Sequence, residues 1–364
     1  MRTSTQFAVA LASVFSVLQL TLASQGDQLP EFKRCVKYCD ILTCDNVDHY
    51  PDVIPSTYMN LLKDENLVNL FEKTPISFHL SLLGWDCSSN CDYQCQRLVT
   101  DDRIAEGLKV YQFHGKWPFV RVLGVQELFS TLFSIGNWIP NFLGFKLLWK
   151  QYNAELRKTN MDMANLYWTY MHIAVVSMCA WFFSTIFHLK DTWDRERLDY
   201  FFAGMTVLTG FYAVSVRFFK LYLVENNMKR KIFGTICILL YLGHVTRLLF
   251  DWSYTYNMQA NVVIGLVQNF LWVYLSIYQF QKISSSKLSF IENVTRQEYN
   301  WTLTPTLLVL SVFFGMSFEL FDFPPVLQLL DAHAMWHFVT IWPTLFWYPY
   351  LVKDAQELMD WKFD

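Results

Sequence analysis

The sequence predicts an all-α membrane protein, a seven-transmembrane-helix bundle preceded by an N-terminal disulfide-rich luminal domain. Three observations carry that prediction: a series of long apolar runs after Trp117, a cluster of six cysteines before it, and an apolar leader at the start. Composition agrees. Of 364 residues, 53% are hydrophobic and 17% charged, where a soluble protein carries roughly 25% charged residues. The formal net charge of −3 lacks the basic surplus of a nucleic-acid binder, and 32 Phe, 19 Tyr and 14 Trp exclude a disordered chain.

Residues 1–23 read as a signal peptide: Arg2, an apolar stretch from Phe7 to Leu22, then Ala23-Ser24 as the cleavage site. A first membrane anchor is the alternative, and the polar Ser24-Gln25-Gly26-Asp27 that follows favours cleavage. Residues 24–116 are acidic, with 14 Asp/Glu against 9 Lys/Arg, and hold Cys35, Cys39, Cys44, Cys87, Cys91 and Cys95. An even count at tight spacing after a leader reads as three disulfides in an oxidising compartment, with fifteen connectivities open. A zinc site built from these thiols is the competing reading, and clean C-x2-C pairs are missing. Cys179 and Cys237 fall inside apolar runs and read as buried free thiols.

The remainder, 117–351, contains seven apolar runs near 120–139, 165–188, 198–218, 232–250, 260–281, 302–320 and 332–351, with a cytosolic tail over 352–364. Each run has about the 20 residues that a helix needs to cross a bilayer. Helices satisfy their own backbone hydrogen bonds, which lipid cannot do. With the cysteine domain luminal, segments 145–164, 219–231, 281–300 and 352–364 are cytosolic and carry four, four, three and two Lys/Arg. The luminal turns 189–197, 251–258 and 322–332 carry three, none and none. Positive charge therefore gathers on the cytosolic side. The sequons at Asn293 and Asn300 fall on that side and are expected to be unglycosylated.

Ionisable groups inside membrane spans mark function by default. Ser184 and His188 lie four apart in Trp181-Phe-Phe-Ser-Thr-Ile-Phe-His188 at the end of the second span. Asp199 opens the third, and His333 and His337 lie four apart at the start of the seventh. Residues four apart share one helix face, so the topology brings three histidines and an aspartate to one depth in the luminal leaflet. Zinc chemistry uses such a set. Three neutral imidazoles leave one coordination position for water, whose pKa zinc lowers to about 7. Asp199 is the candidate base for that water, and Ser184 the candidate hydrogen-bond donor to an oxyanion.

Taken singly, each residue has a plainer reading: an interfacial His pair, a serine bonded to its own helix, a carboxylate at a helix N-terminus. Elsewhere, Arg247 and Asp251 read as an ion pair, His244 and His172 as packing histidines, and Glu319 and Asp322 as possible outer groups of the site. His114, in Gln112-Phe-His-Gly-Lys-Trp-Pro-Phe119, reads as part of an interfacial anchor. There is no Gly-rich phosphate loop, no His-Glu-x-x-His and no internal repeat.

Ser184-x3-His188, Asp199 and His333-x3-His337 together resemble the signature of the seven-span zinc hydrolase superfamily, which includes alkaline ceramidases and adiponectin-receptor-like proteins. Gln112-Phe-His-Gly-Lys-Trp-Pro-Phe119, Phe187-His-Leu-Lys-Asp191, Leu198-Asp-Tyr-Phe201, Glu319-Leu-Phe-Asp-Phe-Pro324 and Asp331-Ala-His-Ala-Met-Trp-His337 are similar to the GPI-remodelling phospholipase family, the Per1-like or post-GPI-attachment proteins. A long insert near 45–75 and an extended loop at 145–164 resemble the fungal branch. The resemblance implies removal of the sn-2 fatty acid from the phosphatidylinositol of GPI-anchored proteins. It implies Zn2+ held by His188, His333 and His337, Asp199 as the base, Ser184 as the oxyanion donor, and residence in the endoplasmic reticulum, with the Golgi as the animal alternative. GPI-anchored proteins and membrane lipid are the implied partners. A ceramidase-type amidase using the same five residues, and a non-catalytic escort of GPI-anchored cargo, are the competing functions.

Overall fold

The computed structural model describes residues 24–44, 49–50, 70–71 and 76–360. The expected signal peptide, most of the insert near 45–75 and the last four residues lie outside the described residues. The chain divides into two compact units between Val120 and Arg121.

The first unit is built on α1 (Pro30–Thr43) and α3 (Cys87–Ala105), with the short α2 (Phe78–Leu83) between them. Pro30 opens α1, where a missing backbone N–H is no loss. Asp86 caps α3: its Oδ1 accepts from Ser89 N at 2.7 Å while Ser89 Oγ accepts from Asp86 N at 3.0 Å. Three disulfides join the two helices: Cys35–Cys95, Cys39–Cys91 and Cys44–Cys87. The partners count up one helix and down the other, so the helices are antiparallel. Spacings of four and five residues keep the cysteines of each helix on one face. All six thiols are consumed, and the zinc reading of this cluster falls. Phe32, Phe71, Val99 and Phe113 complete a small core around the bonds.

The Gln112–Phe119 block folds back within this unit. Gly26 N donates to Gln112 O at 3.0 Å, and a Cβ at Gly26 would collide with that carbonyl and the Phe113 ring. His114 sits in the turn at φ 50°, its Nε2 2.9 Å from Asp92 Oδ2 and its backbone N donating to Asp27 Oδ1 at 2.9 Å. These contacts make His114 a clamp between the N-terminal segment and α3.

The second unit consists of α4 (Leu128–Arg157), α5 (Met161–Leu189), α6 (Trp193–Phe218), α7 (Asn227–Phe250), α8 (Tyr254–Ile283), the short α9 (Phe290–Thr295) and α10 (Gln297–Asn300), α11 (Thr304–Leu320) and α12 (Ala332–Asp360). Contacts run α4–α5–α6–α8–α11–α12 and back to α4, so six helices close a ring, and α7 packs against α6 from outside. Among the described residues, five segments are long and apolar enough to cross a membrane: Met161–Leu189, Trp193–Phe218, Val224–Phe250, Tyr254–Ile283 and Gln297–Leu320. Large apolar side chains face outward along α7, with Leu239, Leu240 and Phe250 exposed, as lipid solvation permits.

Three expectations need correcting. The loop expected over 145–164 is mostly helix: α4 continues to Arg157, and only the turn 158–160 separates it from α5. Polar and charged residues end an apolar run, but Lys146, Leu147, Leu148, Gln151, Ala154 and Glu155 are good helix formers and do not end a helix. In the same way α12 runs on through the expected tail to Asp360. The first helix also starts later than 120, because Leu123 (φ 51°) and Gly124 (φ 83°) make a tight turn closed by the Val122–Val125 bridge.

At one end of the ring, α6, α8 and α12 meet around a buried ion pair. Arg217 Nε and Nη2 contact Asp354 Oδ2 and Oδ1 at 2.6 and 2.8 Å, and Gln279 Nε2 donates to the same Oδ1 at 2.6 Å. Asp354 is fully buried and Arg217 nearly so. The large side chains Tyr167, Tyr170, Trp272, Tyr348 and Leu351 pack in the same unit's core. Arg247 and Asp251 form the expected surface pair at 2.7 Å, and His244 packs against Tyr256 and Asn257. Cys179 and Cys237 are free thiols.

Two outcomes follow from this packing. Asp354→Ala strands a buried guanidinium and is expected to cost about 3–5 kcal/mol, seen as a lower unfolding midpoint in detergent, whereas Arg217→Met with Asp354→Leu should recover most of it. The Asn293 carboxamide is buried, accepting from Ser285 N and donating to Ser285 O and Ser289 O. Endoglycosidase treatment of the purified protein should therefore leave the mass at this sequon unchanged.

Candidate metal centre

The last carbonyls of a helix have no intrahelical donor. At the end of α5 they are met from outside: Glu127 N donates to His188 O at 3.1 Å and Gln126 N to Leu189 O at 2.9 Å. This pairing sets the start of α4 beside the end of α5, and the Glu127 side chain beside the His188 ring. Glu127 Oε2 lies 2.8 Å from His188 Nδ1, with both side chains buried. Across the ring, Asp331 begins α12 by accepting from Ala334 N at 2.8 Å. That cap fixes the first turn, from which His333 and His337 point inward on one face. Their Nε2 atoms stand 3.0 Å apart.

His188, His333 and His337 thus present one ligand atom each, all within 4.8 Å of one another. Each Nδ1 is engaged elsewhere: His188 with Glu127, His333 with Glu319 Oε2 at 2.9 Å, and His337 with Ser134 Oγ at 2.9 Å. A carboxylate accepts, so His188 and His333 carry their protons on Nδ1. Ser134 settles the third ring. Its Oγ contacts Ser130 O at 2.8 Å, Ser184 Oγ at 3.1 Å and His337 Nδ1. A hydroxyl has one proton, and the Ser130 carbonyl can only accept. Ser134 therefore donates to Ser130 O and accepts from His337 Nδ1–H and from the Ser184 hydroxyl. All three imidazoles then turn Nε2 toward a common point, where His333 and His337 share a proton between their Nε2 atoms at 3.0 Å.

The residues fit a divalent metal. A metal ion would replace the proton shared by the facing Nε2 atoms of His333 and His337, and tetrahedral ligands around zinc stand roughly 3.3 Å apart, close to the 3.0 Å between them. Glu127 and Glu319 add two negative charges beside three neutral rings, which a dication balances. An imidazole ligand whose other nitrogen donates to a carboxylate or similar acceptor is the usual metal-site arrangement. Asn137 Nδ2 donates to His337 O at 2.7 Å, and Trp181 stands edge-on to the His337 ring at 5.3 Å. His188 and His337 are buried, whereas the His333 side chain keeps about a third of its exposure, so the cluster opens on the His333 side.

Ser184 is buried one turn before His188 and reaches His337 through Ser134. Asp199 is half-buried on the second turn of α6, where Tyr200 and Phe202 pack on Phe187 and Phe183 of α5. Asp199 is not among the three residues whose ligand atoms lie within 4.8 Å of one another. Sequence reasoning missed Glu127 and Ser134 but placed Glu319 as an outer group, the position it takes against His333 Nδ1; Asp322 is exposed. Glu127 carried a readable signal, since it is an ionisable residue inside a stretch taken for a span. Among the described residues, the other close group of candidate ligands, Cys44, Cys87 and Cys91, consists of disulfide cysteines.

The model of the Per1-like family matches residues 77–355. The chain belongs to the Per1-like family. It is 40% identical to Protein PER1 of Saccharomyces cerevisiae over 346 residues, covering 92% of this chain and 93% of that protein. It is 33% identical to the PER1 homolog of Schizosaccharomyces pombe, over 95% and 91% of the two chains. It is 32% identical to the mouse protein named GPI-specific phospholipase A2-like PGAP3, over 94% and 95%. No solved structure matches.

For this Per1-like chain, Glu127→Ala should weaken metal affinity by about 10–100-fold, measured by titrating the apoprotein with zinc against a competing chelator. Unchanged affinity would make Glu127 a packing residue only.

Proposed function

We propose that this Per1-like protein is a zinc-dependent lipid acyl-ester hydrolase that removes the sn-2 fatty acid from the phosphatidylinositol of GPI anchors, during lipid remodelling of GPI-anchored proteins. The observation that carries the reading is the set of three imidazoles whose Nδ1 protons are held by Glu127, Glu319 and Ser134 while their Nε2 atoms face one point. Its substrate is supported by relatives named Protein PER1 and GPI-specific phospholipase A2-like PGAP3.

In this reading His188, His333 and His337 hold the zinc. Bound there, zinc supplies Lewis acidity that polarises the ester and lowers the pKa of water to about 7. Asp199 takes the proton of the attacking water as general base and returns it to the glycerol oxygen that leaves as the acyl C–O bond breaks. Ser184, whose hydroxyl donates to Ser134 at rest, turns that donor to the ester carbonyl oxygen as negative charge grows on it. Trp181 and the buried faces of α4 and α5 exclude bulk water from behind the rings, and the His333 side admits the lipid.

The bundle crosses the membrane seven times, with α4 and α12 joining the five apolar segments. These two helices have 30 and 29 residues, enough to span about 40 Å. Their mixed composition arises from side chains that face the site or the bundle interior, among them Asn137, Asn141, His333 and His337. The histidines sit in the luminal leaflet of the endoplasmic reticulum, where GPI lipids present their sn-2 ester and their protein lies outside.

Purified protein incubated with a GPI-anchored substrate should release a fatty acid and a lyso-GPI product by mass spectrometry, and a zinc chelator should stop the release. His337→Ala should lose both zinc and product formation. Retained turnover in that variant would sink the assignment.

A further inference from the structure

At the histidine end of the second unit, around the α5–α6 turn and the close of α7, the chain carries Lys190, Arg195, Arg197 and Arg247. Three of these cations are engaged within the protein. Lys190 Nζ lies 3.1 Å from Asp191 Oδ1 and donates to Asp191 O at 2.6 Å. Arg195 Nη1 donates to Lys190 O at 2.9 Å, and Arg247 pairs with Asp251. Arg197 differs. Its guanidinium lies 3.0 Å over the Trp193 ring and 5.4 Å from the Trp252 ring, and it forms no ion pair with a described residue. Its Nε is buried without a hydrogen-bond partner. Asp194 stands one turn back on the same helix, yet the guanidinium turns to the indole instead.

Aromatic stacking covers the face of a guanidinium and leaves its in-plane N–H donors clear of the ring, and with Nε buried it is the Nη donors that can meet a ligand. That fork matches the oxygens of a phosphate, which it can bind through paired hydrogen bonds. The position is tied to the metal centre. Trp252 stacks on Tyr200 at 5.6 Å, Tyr200 packs on Phe187 at 6.4 Å, and the Phe187 ring is 5.0 Å from that of His188. Along α6, Arg197 lies two residues before Asp199, a rise of about 3 Å with a rotation of about 200°, so it approaches from a different face of the helix than Asp199. The N-terminal end of the α6 dipole adds to its field, and Asp194 and Glu196 in the first turn offset part of it.

In a glycerophospholipid the phosphodiester stands a few glycerol bonds from the sn-2 ester, on its water side. We infer that Arg197 binds the phosphodiester of the lipid whose ester enters the histidine site, and so makes the site select phosphate-bearing glycerolipids over neutral lipids with the same ester. The inference rests on the proposed hydrolase reading and adds to it a recognition residue for the headgroup, on a helix other than those that supply the imidazoles.

The test compares a GPI lipid with the diacylglycerol freed from it by a phospholipase C, which keeps the acyl chains and loses the phosphate. For the GPI lipid, R197Q should raise KM about tenfold or more, as expected for a lost charge-assisted contact, and R197K should retain most of the wild-type value. Diacylglycerol turnover and bound zinc should be the same in all three proteins. An equal loss on both lipids would make Arg197 a structural residue, and no change on either would make it an anchor to bulk lipid; both results overturn the inference. Native mass spectrometry gives a second readout that needs no turnover. Wild-type protein should retain phosphatidylinositol over diacylglycerol, and R197Q should not. If the wild type hydrolyses neither lipid, the hydrolase reading falls by itself, and equal retention by wild type and R197Q would then overturn the phosphodiester site as well.

Discussion

Lipid offers no hydrogen-bond partner, and every polar group that a membrane bundle turns inward must find one in the protein. The second unit meets that constraint at two places. At one, Arg217, Asp354 and Gln279 pair across α6, α12 and α8. At the other, Glu127, Ser134 and Glu319 pair with the three histidines across α4, α11, α5 and α12. Helix α12 takes part in both, its His337 and Asp354 separated by about 25 Å along the helix. The bidentate ion pair therefore holds, at the far end, the same helix whose first turns carry two of the three imidazoles.

The two clusters differ in what they leave open. Around Asp354 both carboxylate oxygens are paired, and the ion pair is sealed from solvent. Around the histidines the hydrogen bonds use one nitrogen of each ring and turn the other inward. The arrangement is uneven: His188 and His333 lean on carboxylates, His337 on a hydroxyl. A carboxylate partner raises the basicity of an imidazole more than a hydroxyl does, so His337 is the weakest electron donor of the three. It is also the ring that shares its partner with Ser184, which couples the serine to the centre without making it a ligand.

Much of this was legible in the sequence, for physical reasons. His188, His333 and His337 stood out because an ionisable side chain in an apolar run is costly, and the i, i+4 spacing fixed which of them share a face. The helical character of the chain followed from run length alone. The partners of the histidines were less visible. Glu127 falls near the start of an apolar run whose first residues prove to be a turn, and its pairing with His188 depends on the α5 carbonyls that orient it. Ser134 is a small hydroxyl in an apolar helix, a pattern shared by serines that bond only to their own backbone. Hydropathy also reports where lipid ends, not where a helix ends, which is why α4 and α12 outrun the apolar stretches that mark them. The disulfide pairing was open among fifteen arrangements until two antiparallel helices reduced it to one.

The disulfides of the first unit are nested, with Cys44–Cys87 inside Cys39–Cys91 and Cys39–Cys91 inside Cys35–Cys95. All residues from 45 to 86 lie within the innermost bond and therefore within all three covalent loops. Insertions there lengthen every covalent loop at once but shift no rung against another. Closing a flexible loop of twice the length costs only about 0.6 kcal/mol more. A family built on this ladder can therefore vary that segment widely in length between lineages while the helix pair, and whatever it presents, stays the same.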